Sequence, residues 1–531
     1  MSTSEYRVQR LSPPRPTLPT RLRSLSGEAW VLLALIGAAV AIRVTTLDNQ
    51  SFWTDESLTA YEAGQSFTAM LHTVTSIETS PPLYFVLIWV WAKLFGTGEV
   101  ALRSVSLLAG VAIVPIVYLS ARELLDRRAG LIAAALVVVN PFMIWYSQEA
   151  RSYMLLGALT GASFLWFLRA RRDPSRRNLG WWAGFSAAAL MTHFFGGFAV
   201  APEALWLLWL ARGRATALAV GAVAAVQVAM LPFAVIDASP SRGSGWIAGS
   251  SQVSRIAITV IEWGASNLYR RVTTAEGLIG GVALGLIVVF LIGPGGDRRT
   301  RQAAKVAGAI AAFVFGAPLV LGILGQDYFL SRNEIPAFVP VVTVLAAACV
   351  APRARAVGAI LTVALLALFC FTAIDVQTHP YLQRPAWRDL ARSLGPGVLP
   401  RAILAAGGTT ADPLKIYLPG AGWTQVLKAP VLIREIDIVG ATKRQRLLGP
   451  GPAAAGAIPH GPHPKGAAVP RSVAPPEATL VARFRFANWI VARFALNHPR
   501  RISANQLARL ASRFFRRAPA TLLIFFQRPH R

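Results

Sequence analysis

Charge is scarce in this chain. Only 15% of its 531 residues are Asp, Glu, Lys or Arg, where a soluble domain carries about 25%. Hydrophobic residues make up 54% and fall into long runs. That combination excludes a soluble enzyme and a disordered chain. Acid is scarcer still, with 25 Asp and Glu against 53 Lys and Arg, for a net charge of +28. Cysteine is nearly absent. Cys349 and Cys370 both lie in apolar runs, so there is no disulfide framework from which to read a compartment. Walker, HExxH and paired CxxC motifs are missing, as is any GxGxxG before a helix. A cytosolic nucleotide site is therefore unsupported, and nothing points to a nucleic-acid partner.

What remains has two parts. Residues 1–375 hold 30 basic and 20 acidic side chains, and residues 376–531 hold 23 and 5. The first part carries apolar runs near the roughly 20 residues that a membrane crossing needs. Eleven are expected, at about 28–47, 104–121, 129–146, 152–168, 179–192, 196–211, 215–236, 276–293, 303–324, 336–351 and 356–374. Residues 1–27 are polar and rich in Pro and Arg, which predicts a disordered cytoplasmic N-terminus. Residues 83–97 are apolar but only 15 long. If they do not cross, the cytoplasmic loops collect 21 Lys and Arg and the opposite loops 8, as the positive-inside rule requires. The segment is therefore expected as a juxtamembrane or re-entrant helix. Residues 48–103 then form the first outer loop, and the chain after Asp375 is extracytoplasmic. Arg43, inside the first run, is expected to snorkel to its outer end.

Beyond Asp375 the pattern becomes that of a small α/β domain. Strands are expected at 401–406, 479–486 and 521–527, an extended stretch at 425–439, and helices at 413–418 and 503–515. Residues 449–476 are low-complexity, rich in Gly, Pro and Ala, and read as a flexible insert. The basic excess suits anionic lipid headgroups or acidic wall polymers. The expected class is thus a polytopic α-helical membrane protein of about eleven spans, with a basic α/β domain at 376–531.

Chemistry concentrates in two places. The first outer loop carries Asp48, Asp55, Glu56, Glu62 and Glu78 and no Lys or Arg before Lys93, with Phe52, Trp53, Tyr61 and Phe67 interleaved. Carboxylates beside aromatic faces suit a polyol, because acids accept hydroxyl hydrogen bonds and rings stack on C–H faces. A solvated acidic loop would carry the same charge pattern, and Asp55-Glu56 also reads as a helix start. The second place is Gln148-Glu149-Ala-Arg151-Ser-Tyr153, polar residues between two apolar runs. Charges at a membrane boundary need partners or a task. Glu149 and Arg151 are too close in sequence to share a helix face, so they should reach different partners. His193 ends a span, Trp246 sits in a later outer loop, and Arg332 stands at another outer boundary, where an arginine can clamp a phosphate. Arg384 and Arg388 could do the same, or anchor lipid headgroups. Asp55, Glu56 and His193 offer a divalent metal an oxygen and nitrogen set, though nothing in their spacing demands one.

The order of these elements resembles a known family. A span is followed by Phe52-Trp-Thr-Asp55-Glu56, Ser80-Pro81-Pro82-Leu83-Tyr84, Ala101-Leu-Arg103, Asn140-Pro, Gln148 to Met154, Thr192-His193-Phe and Gln383-Arg-Pro-Ala-Trp387-Arg388. This is similar to the GT-C glycosyltransferases, specifically the bacterial relatives of the dolichyl-phosphate-mannose protein mannosyltransferases and of the lipid A aminoarabinose transferase. The resemblance implies a sugar donor carried on polyprenyl phosphate, an acceptor hydroxyl on a glycan, lipid or protein, and catalysis on the outer membrane face. It implies Asp55 as the leading catalytic carboxylate. With it, Glu56 would orient the base or bind acceptor, Trp53, Glu149, Arg151, Tyr153 and His193 would hold substrate, and Arg332 the phosphate. Two positions depart from the pattern: Ser80 precedes the Pro-Pro where relatives often carry a charged residue or histidine, and Arg332-Asn333 stands where they tend to have Arg-Tyr. Two other readings fit the same charges: a transporter or flippase of lipid-linked sugars, and a non-catalytic anchor for the basic outer domain.

Overall fold

The computed structural model describes residues 26–527 except 79, 238–246, 248, 268–270, 396–398, 407–411, 419, 425–429, 442–477, 487–488, 504–505, 508 and 511–521. Trp246, the 449–476 insert and most of 503–515 lie outside the described residues. The membrane part opens with α1 (Gly27–Val44), then α2 (Thr54–Gly64), α3 (Phe67–Thr73), a π turn at Val74–Glu78 and α4 (Leu83–Phe95). It continues with α5 (Glu99–Leu124), α6 (Arg127–Val139), α7 (Pro141–Ser147), α8 (Tyr153–Arg172), α9 (Arg176–Thr192), α10 (Gly196–Leu210) and α11 (Arg214–Asp237). Then come α12 (Gln252–Ala265), α13 (Thr274–Ile292), α14 (Arg298–Ile323), α15 (Phe338–Cys349) and α16 (Arg355–Thr378).

Among the described residues, seven helices are long and apolar enough to cross a bilayer: α1, α5, α8, α11, α13, α14 and α16. The pair α6 and α7 makes an eighth crossing if its 60° bend is one broken span. The remaining expected crossings coincide with α9 and α10, of 17 and 15 residues, and with α15. The chain is a multi-pass membrane protein.

The break between α6 and α7 has a chemical cause. Pro141 cannot donate to the preceding turn, and the Asn140 side chain instead caps α7 by accepting from the Met143 amide at 2.9 Å. The carbonyls freed at the end of α6 are taken by Arg43. Its guanidinium donates to the Val138 and Val137 carbonyls at 3.1 and 3.3 Å and to Ser147 Oγ at 3.0 Å. Arg43 is fully buried. The expected snorkelling is wrong: the side chain turns into the bundle because unpaired carbonyls there are worse than a paired guanidinium. A methyl at Gly110 would meet Ser147 Oγ at 2.1 Å, so the helix crossing depends on that glycine.

The C-terminal part starts with α17 (Trp387–Leu394) and contains β1 (Arg401–Ala406), α18 (Pro413–Tyr417), β2 (Gly422–Thr424), β3 (Val431–Ala441), β4 (Ala478–Phe486), β5 (Trp489–Ile502) and β6 (Leu522–Gln527). The strands form one sheet in the order β2-β6-β1-β3-β5-β4. β1 and β3 run parallel and the other neighbours antiparallel. Inward residues alternate as period two demands: Ala402 and Leu404 join one apolar cluster, Ile403 and Ala405 the other. Strand β5 was not expected, because its Arg- and Pro-containing C-terminal half masks the alternation.

The two parts are bolted together at one end of the helix bundle. Asp48 and Glu99 pair with Arg388 at 2.7 and 3.2 Å. The Ser51 hydroxyl donates to the Pro385 carbonyl at 3.0 Å, and the Arg384 amide donates to Gln50 at 2.8 Å. Tyr417 donates to Glu99 at 2.6 Å and accepts from the Phe52 amide at 2.7 Å. The segment between α1 and α2 is therefore held from both sides.

Candidate active site

Helix α2 starts where the sequence places its acids. Trp53 is extended and caps the helix, and Asp55 and Glu56 occupy its first turn, where the helix dipole favours negative charge. The two neighbours then diverge. Glu56 is fully buried. Both its oxygens are gripped by Arg103, at 2.7 and 2.8 Å, and the Ala150 amide donates to it at 2.9 Å. Arg384 stands 3.9 Å away. Burial would raise the Glu56 pKa, but Arg103 and Arg384 bring it below the usual glutamate range. Glu56 is a saturated anion, with Arg103 in turn holding the carbonyls of Leu47, Gln50 and Ser51.

Asp55 keeps 27% of its side chain exposed, with Arg332 3.7 Å from its carboxylate. Removal from water raises its pKa, while Arg151 and Arg332 pull the other way. Arg332 also lies over the Tyr153 ring at 5.3 Å. Tyr153 faces the His193 ring at 5.8 Å, and His193 stacks on Phe195 at 4.7 Å. Burial pushes the His193 pKa down to about 3, with Arg151 and Arg332 adding to the shift, so the ring is neutral.

Glu149 and Arg151 reach different partners, as their spacing predicts. Glu149 takes Arg384 at 2.8 Å through one oxygen, while the other has no hydrogen-bond partner among the described residues. Burial raises the Glu149 pKa, and Arg384 opposes it. Arg151 holds both oxygens of Glu78 at 2.9 Å and reaches Thr59 Oγ1 at 3.3 Å. Trp53, Asp55, Glu56, Glu149, Arg151, Tyr153, His193 and Arg332 thus converge on one end of the bundle. Asp55, Glu149 and Arg332 lie within electrostatic reach of one another.

The set does not suit a cation. Among the described residues no three His, Cys, Asp or Glu side chains are arranged to hold a metal ion. Glu56 is occupied by Arg103, and two guanidiniums face Asp55. Arg384 and Arg388, read from the sequence as phosphate or headgroup contacts, are engaged by Glu149, Asp48 and Glu99 instead. Residues without an assigned role emerge as struts, Arg103, Glu78 and Tyr417, and Arg384 joins them. For Arg103 the available signal was its place at the head of an apolar run, where an arginine needs a buried acid.

Residues 79–236 match the family model described as dolichyl-phosphate-mannose-protein mannosyltransferase. That segment is under a third of the chain. The matched segment includes Tyr84, Arg103, Glu149, Arg151, Tyr153 and His193, while Asp55 and Arg332 lie outside it. No curated protein matches the chain. Among solved structures it is similar to ArnT from Cupriavidus metallidurans in the apo state, at 13% identity over 88% of this chain and 98% of that one, TM-score 0.49. The same protein bound to undecaprenyl phosphate gives 13% identity, the same coverage and TM-score 0.48. The Archaeoglobus fulgidus oligosaccharyltransferase in complex with Zn and sulfate gives 16% identity over 69% of this chain and 56% of that one, TM-score 0.38.

Proposed function

We propose that the protein is a membrane glycosyltransferase that moves a sugar from a polyprenyl-phosphate carrier to a hydroxyl acceptor at the extracytoplasmic face. In this reading residues 28–375 form the catalytic membrane domain, the N-terminus is cytoplasmic and residues 376–531 lie outside, their basic surface against anionic headgroups. The observation that carries the proposal is the contrast within Asp55-Glu56: one carboxylate is sealed by Arg103, and the next stays partly open between Arg332 and Arg151.

The chemistry follows from that contrast. The acceptor oxygen attacks the anomeric carbon and its proton passes to the Asp55 carboxylate. The bond from that carbon to the phosphate oxygen breaks, and its electron pair leaves with polyprenyl phosphate. The leaving group is a phosphate and needs charge stabilisation rather than protonation, which Arg332 supplies, with Arg151 beside it. One base suffices, unlike the two carboxylates of a glycoside hydrolase, and a single displacement inverts the anomeric centre. Tyr153 and neutral His193 provide an aromatic wall, and Trp53 is read as a further substrate contact. Glu56 acts by fixing the start of α2.

The test is transfer by the full chain in nanodiscs from radiolabelled polyprenyl-phosphate sugars. A transferase releases free polyprenyl phosphate in proportion to the glycosylated acceptor, and Asp55→Asn abolishes both. Full transfer by Asp55→Asn would remove the base from the proposal. Movement of intact donor across the bilayer without release of polyprenyl phosphate would favour the flippase.

A further inference from the structure

Buried polar groups in folded proteins nearly always find hydrogen-bond partners, and several around Asp55 depart from that rule. Glu62 and Tyr84 are both fully buried. Neither Glu62 oxygen has a hydrogen-bond partner among the described residues, and the same holds for the Tyr84 hydroxyl. Trp53 Nε1 at the mouth of α2 is in the same state.

These groups belong to one place. Asp55, Thr59 and Glu62 recur at helical spacing along α2 and share a face. Arg151 reaches that face at Thr59, and its field is felt by Asp55, Glu62 and Tyr84 alike. Glu62 and Tyr84 sit within electrostatic reach of each other, across the packed pair α2 and α4. Arg332 approaches Asp55, whereas Glu62 and Tyr84 lie around Arg151, whose own charge is already met by Glu78.

We propose that Glu62 and Tyr84 form a polyol subsite beside Asp55, which recognises the hydroxyl groups of a sugar ring by hydrogen bonding. A carboxyl and a phenol together both donate to and accept from vicinal hydroxyls, and neither adds a cation that would compete for the phosphate. Burial, with Glu78 adding and Arg151 opposing, pushes the Glu62 pKa up to about 9, so it is a neutral acid that can donate as well as accept. The proposal rests on the transferase reading and names the part of its site that takes sugar. That sugar belongs to the donor or to a glycan acceptor, and the hydroxyl chemistry is the same.

The direct probe is a panel of methyl glycosides binding to the full chain in nanodiscs, read by saturation-transfer NMR. Wild type and Asp55→Asn should bind one or more of them. Glu62→Met and Tyr84→Phe should lose binding by about tenfold or more, as removal of a hydrogen bond to a sugar hydroxyl does. Glu62→Gln keeps a donor and an acceptor and should retain most of it, which separates recognition from misfolding. The source follows from two further measurements. A loss confined to the affinity gained by polyprenyl-phosphate mannose or arabinose over bare polyprenyl phosphate assigns the donor sugar. A rise confined to the acceptor KM assigns the acceptor. Wild-type glycoside binding by folded Glu62→Met and Tyr84→Phe overturns the subsite. Glycoside binding that survives in a protein without transferase activity leaves the subsite standing and the transferase reading refuted.

Discussion

Arg103 holds both oxygens of Glu56 at 2.7 and 2.8 Å across 47 residues of chain, and both side chains are fully buried. This pair joins the start of α2 to the head of α5 and leaves the Asp55 carboxylate, 3.7 Å from Arg332, outside that brace. Removing one partner of such a pair leaves an uncompensated charge in a dry place. Arg103→Met should destabilise the protein by about 3–5 kcal/mol, seen as a large fall in melting temperature in detergent. Asp55→Asn should leave the melting temperature unchanged or higher and lower kcat by about 10²–10⁴. Equal thermal losses in the two variants would contradict the division of labour between the adjacent acids.

The C-terminal domain should matter to turnover through Tyr417. Its hydroxyl accepts from the Phe52 amide at 2.7 Å, three residues before Asp55, and donates to Glu99 at 2.6 Å. Tyr417→Phe leaves the amide and Glu99 without that partner, a change of about 1–3 kcal/mol. The expected result is a kcat reduced about tenfold with donor KM nearly unchanged, because the displaced group is the proposed base and not the proposed phosphate contact. A raised KM at constant kcat would show that the domain binds substrate rather than positioning α2.

Most of this architecture was legible in the chain because apolar length and charge asymmetry are strong signals. The apolar runs follow from them; the strand Arg401–Ala406 is read from local pattern, and the grouping of Asp55, Glu149, Arg151 and Arg332 from the family resemblance. The struts were less visible. Glu56 and Asp55 are chemically alike in sequence, and only the arrival of Arg103 from 47 residues away distinguishes them. Arg384 looked available for a phosphate, yet Glu149, 235 residues earlier in the chain, occupies it. Arg43 looked close enough to the surface to escape, but the carbonyls released at Asn140-Pro141 draw it inward. Sequence spacing conveys which face a residue occupies, not which distant charge it will meet.

That bracing of the broken helix predicts a sharp sensitivity at Gly110. A methyl there would stand 2.1 Å from Ser147 Oγ and 2.9 Å from Ser147 Cβ. Gly110→Ala should cost about 1–3 kcal/mol, measured by thermal unfolding. Adding Ser147→Ala should recover only part, since Cβ still crowds the methyl and Arg43 loses one acceptor. Complete recovery would mean that the Ser147 contact with Arg43 contributes nothing.

Glu62 offers a stability test that needs no substrate. Its folded-state pKa is raised to about 9 against an ordinary glutamate value of 4.5, burial being the main cause. Between those values the unfolded chain has released a proton that the folded chain retains, so folding takes up a proton. Stability is then fully present below the lower value and is lost as pH rises towards the upper one. Glutamine does not titrate. Glu62→Gln should therefore match wild type near pH 4.5 and exceed it increasingly from pH 6 to pH 9, by on the order of a few kcal/mol at the top. Melting temperatures of both proteins across that range measure the difference. A gap that stays constant with pH would mean that Glu62 is ionised in the folded protein. It would then accept hydrogen bonds from a sugar but could not donate one, and Glu62→Gln would no longer be its faithful mimic in the subsite.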